Sequence, residues 1–428
     1  MHIIRYPDPA TWPELLRRPS LPAADLQATV HEVFAAVQSG GDGALLAYTE
    51  RFDRVRPAPL VNGPAEFAAA EDQLLLELKA ALQHAAQNIR TFHAAQAYAP
   101  TVIETQPGIR CWRRATPIHR VGLYVPGGTA PLFSTLLMLA VPAAVAGCRE
   151  ITVVTPPQAT GQVHPAMLYA AQLAGAHRVV AAGGIQAIAA LTYGTESIAP
   201  VDKLFGPGNQ YVTAAKQYAA QLGVAIDLPA GPSEVAVLAD ASADPDFVAA
   251  DLLSQAEHGT DSQVLLITTH EPLLAAVAAA LERQLPALPR HALAAAALAN
   301  SRAVLVRTPD ELLALSEAYA PEHLILHLSG AEAFAERIET AGSVFVGPLT
   351  PESLGDYASG TNHTLPTAGF ARAYSGVSLS SFQKHITFQQ ATRAGLAALG
   401  PVVETLAHAE ALAGHANAVR IRLEKEGL

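Results

Sequence analysis

The stretch "VGLYVPGG" (residues 121–128) decides the fold. It is a short apolar run that ends in glycines, and a helical pattern follows it. The same plan returns in "EITVVTPP" (150–157), "HRVVAAGG" (177–184) and "VDKLFGPGN" (201–209). Strand, glycine-rich turn, helix is the signature of a parallel α/β sheet, because parallel neighbours need a crossover long enough to hold a helix. A second set follows in "SEVAVLAD", "SQVLLITTH", "SRAVLVRT", "HLILHL" and "SVFVG" (233–347). Two successive α/β units are therefore predicted, with a break near residues 227–234.

The flanks read differently. Residues 1–20 look like an extended arm. Residues 22–99 place apolar side chains at helical spacing. "TVIETQPGIRCWRRATPI" (101–118) combines turn residues with β-formers and suits a hairpin. Beyond about residue 378 the pattern is helical again.

Composition removes several classes of function. The chain has 428 residues, half of them hydrophobic, too many for one ordinary core and too apolar for disorder. A net charge of −11 gives no basic surface for nucleic acid. Only Cys111 and Cys148 occur, which excludes a disulfide framework or a thiolate metal site and fits a reducing compartment. The start of the chain has prolines and charges where a signal peptide would be apolar. The most apolar run (130–147) contains Pro131 and Pro142 and reads as a buried helix, not a membrane span. A cytoplasmic location is expected.

Three glycine turns follow predicted strands: Gly127-Gly128, Gly183-Gly184 and Gly206-Pro207-Gly208-Asn209. Open α/β sheets bind ligands at the carboxyl ends of strands, and helix N-termini there offer free N–H groups to phosphate. None of the turns is G-x-G-x-x-G, since Tyr211 occupies the third glycine's place. Simply turning the chain explains each glycine pair as well as a ligand does.

Four other segments are chemically suggestive. In "LLSQAEHGTD" (252–261), Gln255 and His258 share one helix face, Glu257 points elsewhere and Gly259 stops the helix. Alone, His258 reads better as a helix cap than as a ligand. In "YAPEHLILHL" (319–328), Glu322 beside His323 could supply two proton acceptors near neutral pH, although a solvated loop is the plainer reading. Residues 352–376 form a long loop-like stretch with Asp356, Asn362 and His363, and such loops are usually functional. Near the end, His408 and His415 are two helical turns apart with Glu410 between them, a spacing that an ordinary surface face explains.

Together these signals resemble the histidinol dehydrogenase family. The densest match is "IDLPAGPSEVAVLADASADPDFVAADLLSQAEH" (226–258). "GLYVPGG", "GGIQAIAALTYGT", "FGPGNQYV", "APEHL", "GSVFVG" and "GDYASGTNH" also look like family blocks, in family order. The likeness runs from about residue 20 to about 420. One departure is Ile325, a position that is often acidic in the family.

The resemblance implies oxidation of L-histidinol through L-histidinaldehyde to L-histidine, with two NAD and one zinc per subunit, in a homodimer. It implies zinc ligands Gln255, His258, Asp356 and His415, an acid–base pair Glu322 and His323, and NAD positions Tyr124, Gln186 and Asn209. Substrate positions would be Ser233, Gln255, His258, His323, Asp356, His363, Glu410 and His415. The implied fold is two incomplete Rossmann-like parallel-sheet domains with a helical N-terminal segment and a small helical C-terminal tail. Its parts would be an arm (1–20), a zinc-binding catalytic domain (21–123 plus 233–377), an NAD domain (124–232) and a tail (378–428) exchanged between subunits, so that Glu410 and His415 serve the partner's site. A nitrogen and oxygen ligand set agrees with the scarcity of cysteine. The runner-up is a related NAD-dependent dehydrogenase of another amino alcohol or a sulfonated alcohol; a zinc hydrolase or a non-catalytic binding protein is less consistent with the motifs.

Overall fold

The structure, a computed structural model, describes residues 1–18, 24–127, 131–228 and 231–427. It divides into two compact units. The first comprises Met1–Ala95 and Ile118–Phe382, and the second Gln96–Pro117 and Gln383–Leu428.

Two six-stranded sheets organise the first unit. One runs, in spatial order, Val61–Asn62, Arg178–Ala181, Glu150–Thr155, Arg120–Tyr124, Lys203–Phe205 and Ala225–Ile226. All neighbours are parallel except the edge strand Val61–Asn62. Numbered along the chain, the five parallel strands lie in the order 3-2-1-4-5. That is the winding of a dinucleotide-binding sheet without its sixth strand.

The other sheet runs His2–Arg5, Arg302–Leu305, Gln263–Thr268, Glu234–Ala239, His323–His327 and Ser343–Val346, all parallel. Its last five strands in sequence repeat the 3-2-1-4-5 order. The two sets are thus wound alike, a relation the sequence conceals. His2–Arg5 falls where an extended arm was expected. Four residues are too few to show a period, and their partner Arg302–Leu305 is remote in the chain.

The strands read as near-continuous apolar runs because both faces are covered. Phe133–Ala146 and Pro165–Ala174 pack on one face of the first sheet, Gly184–Tyr193 and Gln210–Gln221 on the other. Pro245–Ala256 and Glu271–Gln284 cover one face of the second sheet, Pro309–Tyr319 the other. At the carboxyl rim of this second sheet, Asp240 accepts hydrogen bonds from the amides and hydroxyls of both Ser242 and Ser329. No helix among the described residues is long and apolar enough to cross a membrane.

The second unit holds an antiparallel sheet of Gln383–Ala391, Ile109–Pro117 and Val102–Gln106, with helices Arg393–Ala409 and Ala413–Glu426. The hairpin expected over 101–118 is present. The C-terminal segment has its two helices but opens with a strand, whose ladder lies wholly with residues far back in the chain.

Candidate active site

The pair Glu322–His323 sits at the amino end of strand His323–His327, and Glu234, the first residue of the neighbouring strand, clamps it. The Glu234 amide donates to Glu322 Oε2 at 2.9 Å, and its carbonyl oxygen lies 3.2 Å from His323 Nδ1. A carbonyl only accepts, so Nδ1 carries a proton and Nε2 is left to exchange one. Behind the clamp, Arg18 donates to both carboxylate oxygens of Glu234, at 2.5 and 2.8 Å, and stacks on the Tyr319 ring. The N-terminal arm thereby reaches the foundation of the pair.

Glu234, Tyr319 and the pair itself are buried, with Arg18 partly so, and the basicity of the pair follows from that. Burial pushes the Glu322 carboxyl up to about 8, against the pull of His323. The same burial disfavours the His323 cation, but Glu352, Glu322 and Asp356 outweigh it and hold the imidazole well above its ordinary value. His323 Nδ1 is 3.6 Å from Glu322, and Nε2 is 3.4 Å from Asp356 Oδ1.

Next to the pair, ligand atoms of His258, Glu352 and Asp356 lie within 4.8 Å of one another. Helix Pro245–Ala256 delivers the first. Asp244 caps it, Pro245 opens it, and Val248, Ala249, Leu252, Leu253 and Ala256 bury its apolar face. The helix ends at Ala256, before the expected stop at Gly259. The His258 amide then bonds the Gln255 carbonyl in a tighter turn, so His258 remains close above Gln255. Short helix Glu352–Tyr357 presents Glu352 and Asp356 one turn apart, although residues 352–376 read as loop. His258 stands at the exposed rim of the group, yet crowding of its ring lowers its pKa. Burial raises Asp356, but His323, with His363 and His258, brings it below the ordinary range. Glu352 is lifted by burial to about 8.

This group is short of hydrogen bonds. Both amide atoms of Gln255, both oxygens of Glu352, Asp356 Oδ1 and His323 Nε2 are buried without a hydrogen-bond partner. Each such orphan costs about 1–3 kcal/mol. Oxygen and nitrogen donors converging in this way suit a divalent cation such as zinc.

A cleft of about 620 Å³ opens at the carboxyl ends of the first sheet. Tyr124, Gln186 and Asn209 all line it, one from each glycine turn, with Phe52, Asp53 and Tyr211. Strands Arg120–Tyr124 and Lys203–Phe205 flank the point where the winding reverses. Gly206 is required here: its φ is +120°, and a Cβ would come 2.0 Å from the Tyr124 carbonyl oxygen. A buried Lys216–Asp227 pair holds this turn, with Lys216 Nζ donating to the Gly206 carbonyl and the Gly206 amide to Asp227. The Tyr124 hydroxyl accepts from the Gly184 amide at 3.2 Å, and burial raises its pKa to about 12. Asn209 Oδ1 caps helix Gln210–Gln221, and Gln186 is buried with both side-chain polar atoms unpaired. Gly128 lies outside the described residues.

The other expected site residues are dispersed. His363 bonds the Asp356 carbonyl oxygen at 2.8 Å and the Thr135 hydroxyl at 3.0 Å. Ser233 precedes strand Glu234–Ala239. Glu410 and His415 are exposed in the second unit, at the end of one helix and in the first turn of the next. Glu352, Glu234 and Arg18 were not anticipated. The four-residue spacing of Glu352 and Asp356 was the available signal for the first; nothing local marks the other two.

The family model for histidinol dehydrogenase matches residues 16–423. Histidinol dehydrogenase of Bacteroides thetaiotaomicron is 56% identical over 423 residues, covering 99% of both chains. That of Xanthomonas axonopodis pv. citri is 54% identical, covering 97% of both. The crystal structure of histidinol dehydrogenase from Elizabethkingia anophelis superposes with a TM-score of 0.97 at 51% identity, covering 100% of this chain and 99% of that one.

Proposed function

Because the chain belongs to the histidinol dehydrogenase family of oxidoreductases, we propose that it carries out both oxidations from L-histidinol to L-histidine, using two NAD and one zinc, as the closing steps of histidine biosynthesis in the cytoplasm. The observation that carries this reading is the Glu322–His323 pair, clamped by Glu234 and facing the ligand group of His258, Glu352 and Asp356, whose carboxylates are short of hydrogen-bond partners.

Gln255, His258 and Asp356 would hold the zinc, with the partner subunit's His415 as the fourth ligand. Zinc bound there would fix the substrate by its nitrogens and add positive charge beside the raised carboxyls. NAD in the Tyr124, Gln186 and Asn209 cleft would accept hydride. The protein's own groups handle the protons. Nε2 of His323 takes the alcohol proton, and the nearby carboxylates stabilise the cation that results. Glu322, a stronger base than an ordinary carboxylate, then draws a proton from the water that adds to the aldehyde. His323 accepts a proton again during the second oxidation. His363, tied to Asp356 and Thr135, fixes one wall of the substrate pocket. Ser233 and the partner's Glu410 complete the substrate contacts.

This reading assigns residues 233–377 to catalysis, 124–232 with Phe52 and Asp53 to NAD, and 378–428 to a tail exchanged in a homodimer. Purified protein given L-histidinol and excess NAD should form two NADH per histidine. A chelator should abolish the reaction and zinc restore it. One NADH with free aldehyde overturns the two-step assignment. Mixing His323→Asn and His415→Asn proteins should restore activity if sites are shared, and none if each chain builds its own.

A further inference from the structure

Asp251 and His327 form a second buried polar pair, apart from the groups above. His327 Nε2 lies 2.7 Å from Asp251 Oδ2, and the two residues are 2% and 6% exposed. A carboxylate only accepts, so Nε2–H donates; Nδ1 is buried with no partner. Asp251 lies on helix Pro245–Ala256, one turn before Gln255 and on the stripe that leads to His258. His327 ends the strand that His323 begins, and both point to the same face as Ile325. Between the pair and the site, Ile325 packs with Leu252 and Ala256 in an apolar layer.

The spacing gives the pair a mechanical meaning. From Gln255 back to Asp251 is one turn, about 6 Å of helix. From His323 to His327 is about 13 Å of strand. The pair therefore joins the same helix and strand one turn behind Gln255 and at the far end of the strand from His323. Apolar packing resists separation but is non-directional, and a hydrogen bond between buried groups resists sliding and rotation as well.

We propose that Asp251 and His327 are positioning residues: their hydrogen bond fixes the register of the helix that bears Gln255 and leads into the His258 turn against the strand bearing His323, and so the separation of the zinc donors from the proton acceptor. The proposal rests on the zinc-dependent reading above. It predicts that loss of the bond misplaces ligands without unfolding the chain, because two apolar groups replace a buried polar pair with little loss of stability.

The test uses full-length protein. The double variant Asp251→Leu/His327→Leu should keep a thermal midpoint near wild type. Its zinc dissociation constant, from competition with a chromophoric chelator, should rise roughly tenfold, and kcat should fall roughly tenfold at unchanged KM for NAD. Asp251→Asn keeps an acceptor for Nε2–H and should retain near wild-type zinc affinity and kcat. Wild-type zinc affinity and kcat in the double variant overturn the proposal. Should that variant not fold, His327→Met, which offers Asp251 no N–H, decides: weaker zinc binding supports the pair, and an unchanged constant sinks it. Wild-type protein that binds no zinc refutes the functional reading and, with it, the pair's role. Wild-type protein that binds zinc and turns over beside an unaffected double variant refutes the pair alone.

Discussion

His323 Nε2 lies 3.4 Å from Asp356 Oδ1, while the Nδ1 of the same ring faces the Glu234 carbonyl. One imidazole thus joins a fixed backbone acceptor to the group of orphaned donors, and only its Nε2 is available for chemistry.

Replacing His323 by Asn should remove that proton acceptor. A positioned general base contributes roughly 10²–10⁴-fold. NADH formation from L-histidinol is expected to fall within that range while bound zinc, read by metal analysis, persists. An activity near wild type would remove His323 from the proposed role.

Glu322→Gln should separate the two oxidations. The Gln side chain still accepts from the Glu234 amide but cannot take a proton from water. In a single turnover, NADH per histidinol should fall from two toward one, with the aldehyde trapped by a hydrazine reagent. Two full equivalents at the normal rate would count against it.

Gln255→Leu sets stability against function. The buried amide has no hydrogen-bond partner for either polar atom, so an apolar residue removes a standing penalty. Metal-free protein is expected to melt about 2–6 °C higher, while zinc retention is lost. Scanning calorimetry with and without zinc measures both. A lower midpoint in the metal-free variant would mean that the amide is satisfied in solution.

Asp53 should set the choice of dinucleotide. It lines the cleft with no Lys or Arg among the described lining residues, and burial raises its own pKa. A 2′-phosphate would find a carboxylate and no cation. Asp53→Asn is expected to narrow the preference for NAD over NADP in kcat/KM by roughly tenfold, about 1.4 kcal/mol. An unchanged ratio would place the discrimination elsewhere.

Stability should decline on mild acidification through His93. This ring is fully buried, its Nδ1 is 2.8 Å from the Ile89 carbonyl oxygen, and burial lowers its pKa. The unfolded chain takes up a proton near pH 6.5, whereas the folded chain resists it. The full stability contribution is therefore present above about pH 6.5 and is lost as the pH falls below it. Urea midpoints at pH 5.5 and 7.5 should differ less in His93→Gln than in wild type. Equal pH slopes would dismiss this residue as the cause.

The α/β units were legible because strand, glycine turn and helix are local patterns. Tyr124, Gln186 and Asn209 were reachable for the same reason, since each sits on or beside such a turn. Gln255 and His258 share a helix face that spacing reveals. Arg18 and Glu234 were not legible, because their bidentate contact joins segments that only the folded chain brings together. Glu352 was hidden by a helix of only six residues inside a stretch rich in Gly, Ser and Thr. The amino-end location of Glu322 and His323 also ran against the usual rule for open sheets, which points to the carboxyl rim.

That inversion has a consequence for how such a chain can change. Two like-wound sheets present their features at opposite rims, the cleft at the carboxyl rim of one and the Glu322–His323 pair at the amino rim of the other. Meanwhile Asp240 staples two loops across the second sheet's carboxyl rim, where His327 ends its strand. Changes confined to the surface loops beyond that staple would leave Glu322 and His323, at the opposite end of the strands, where they are.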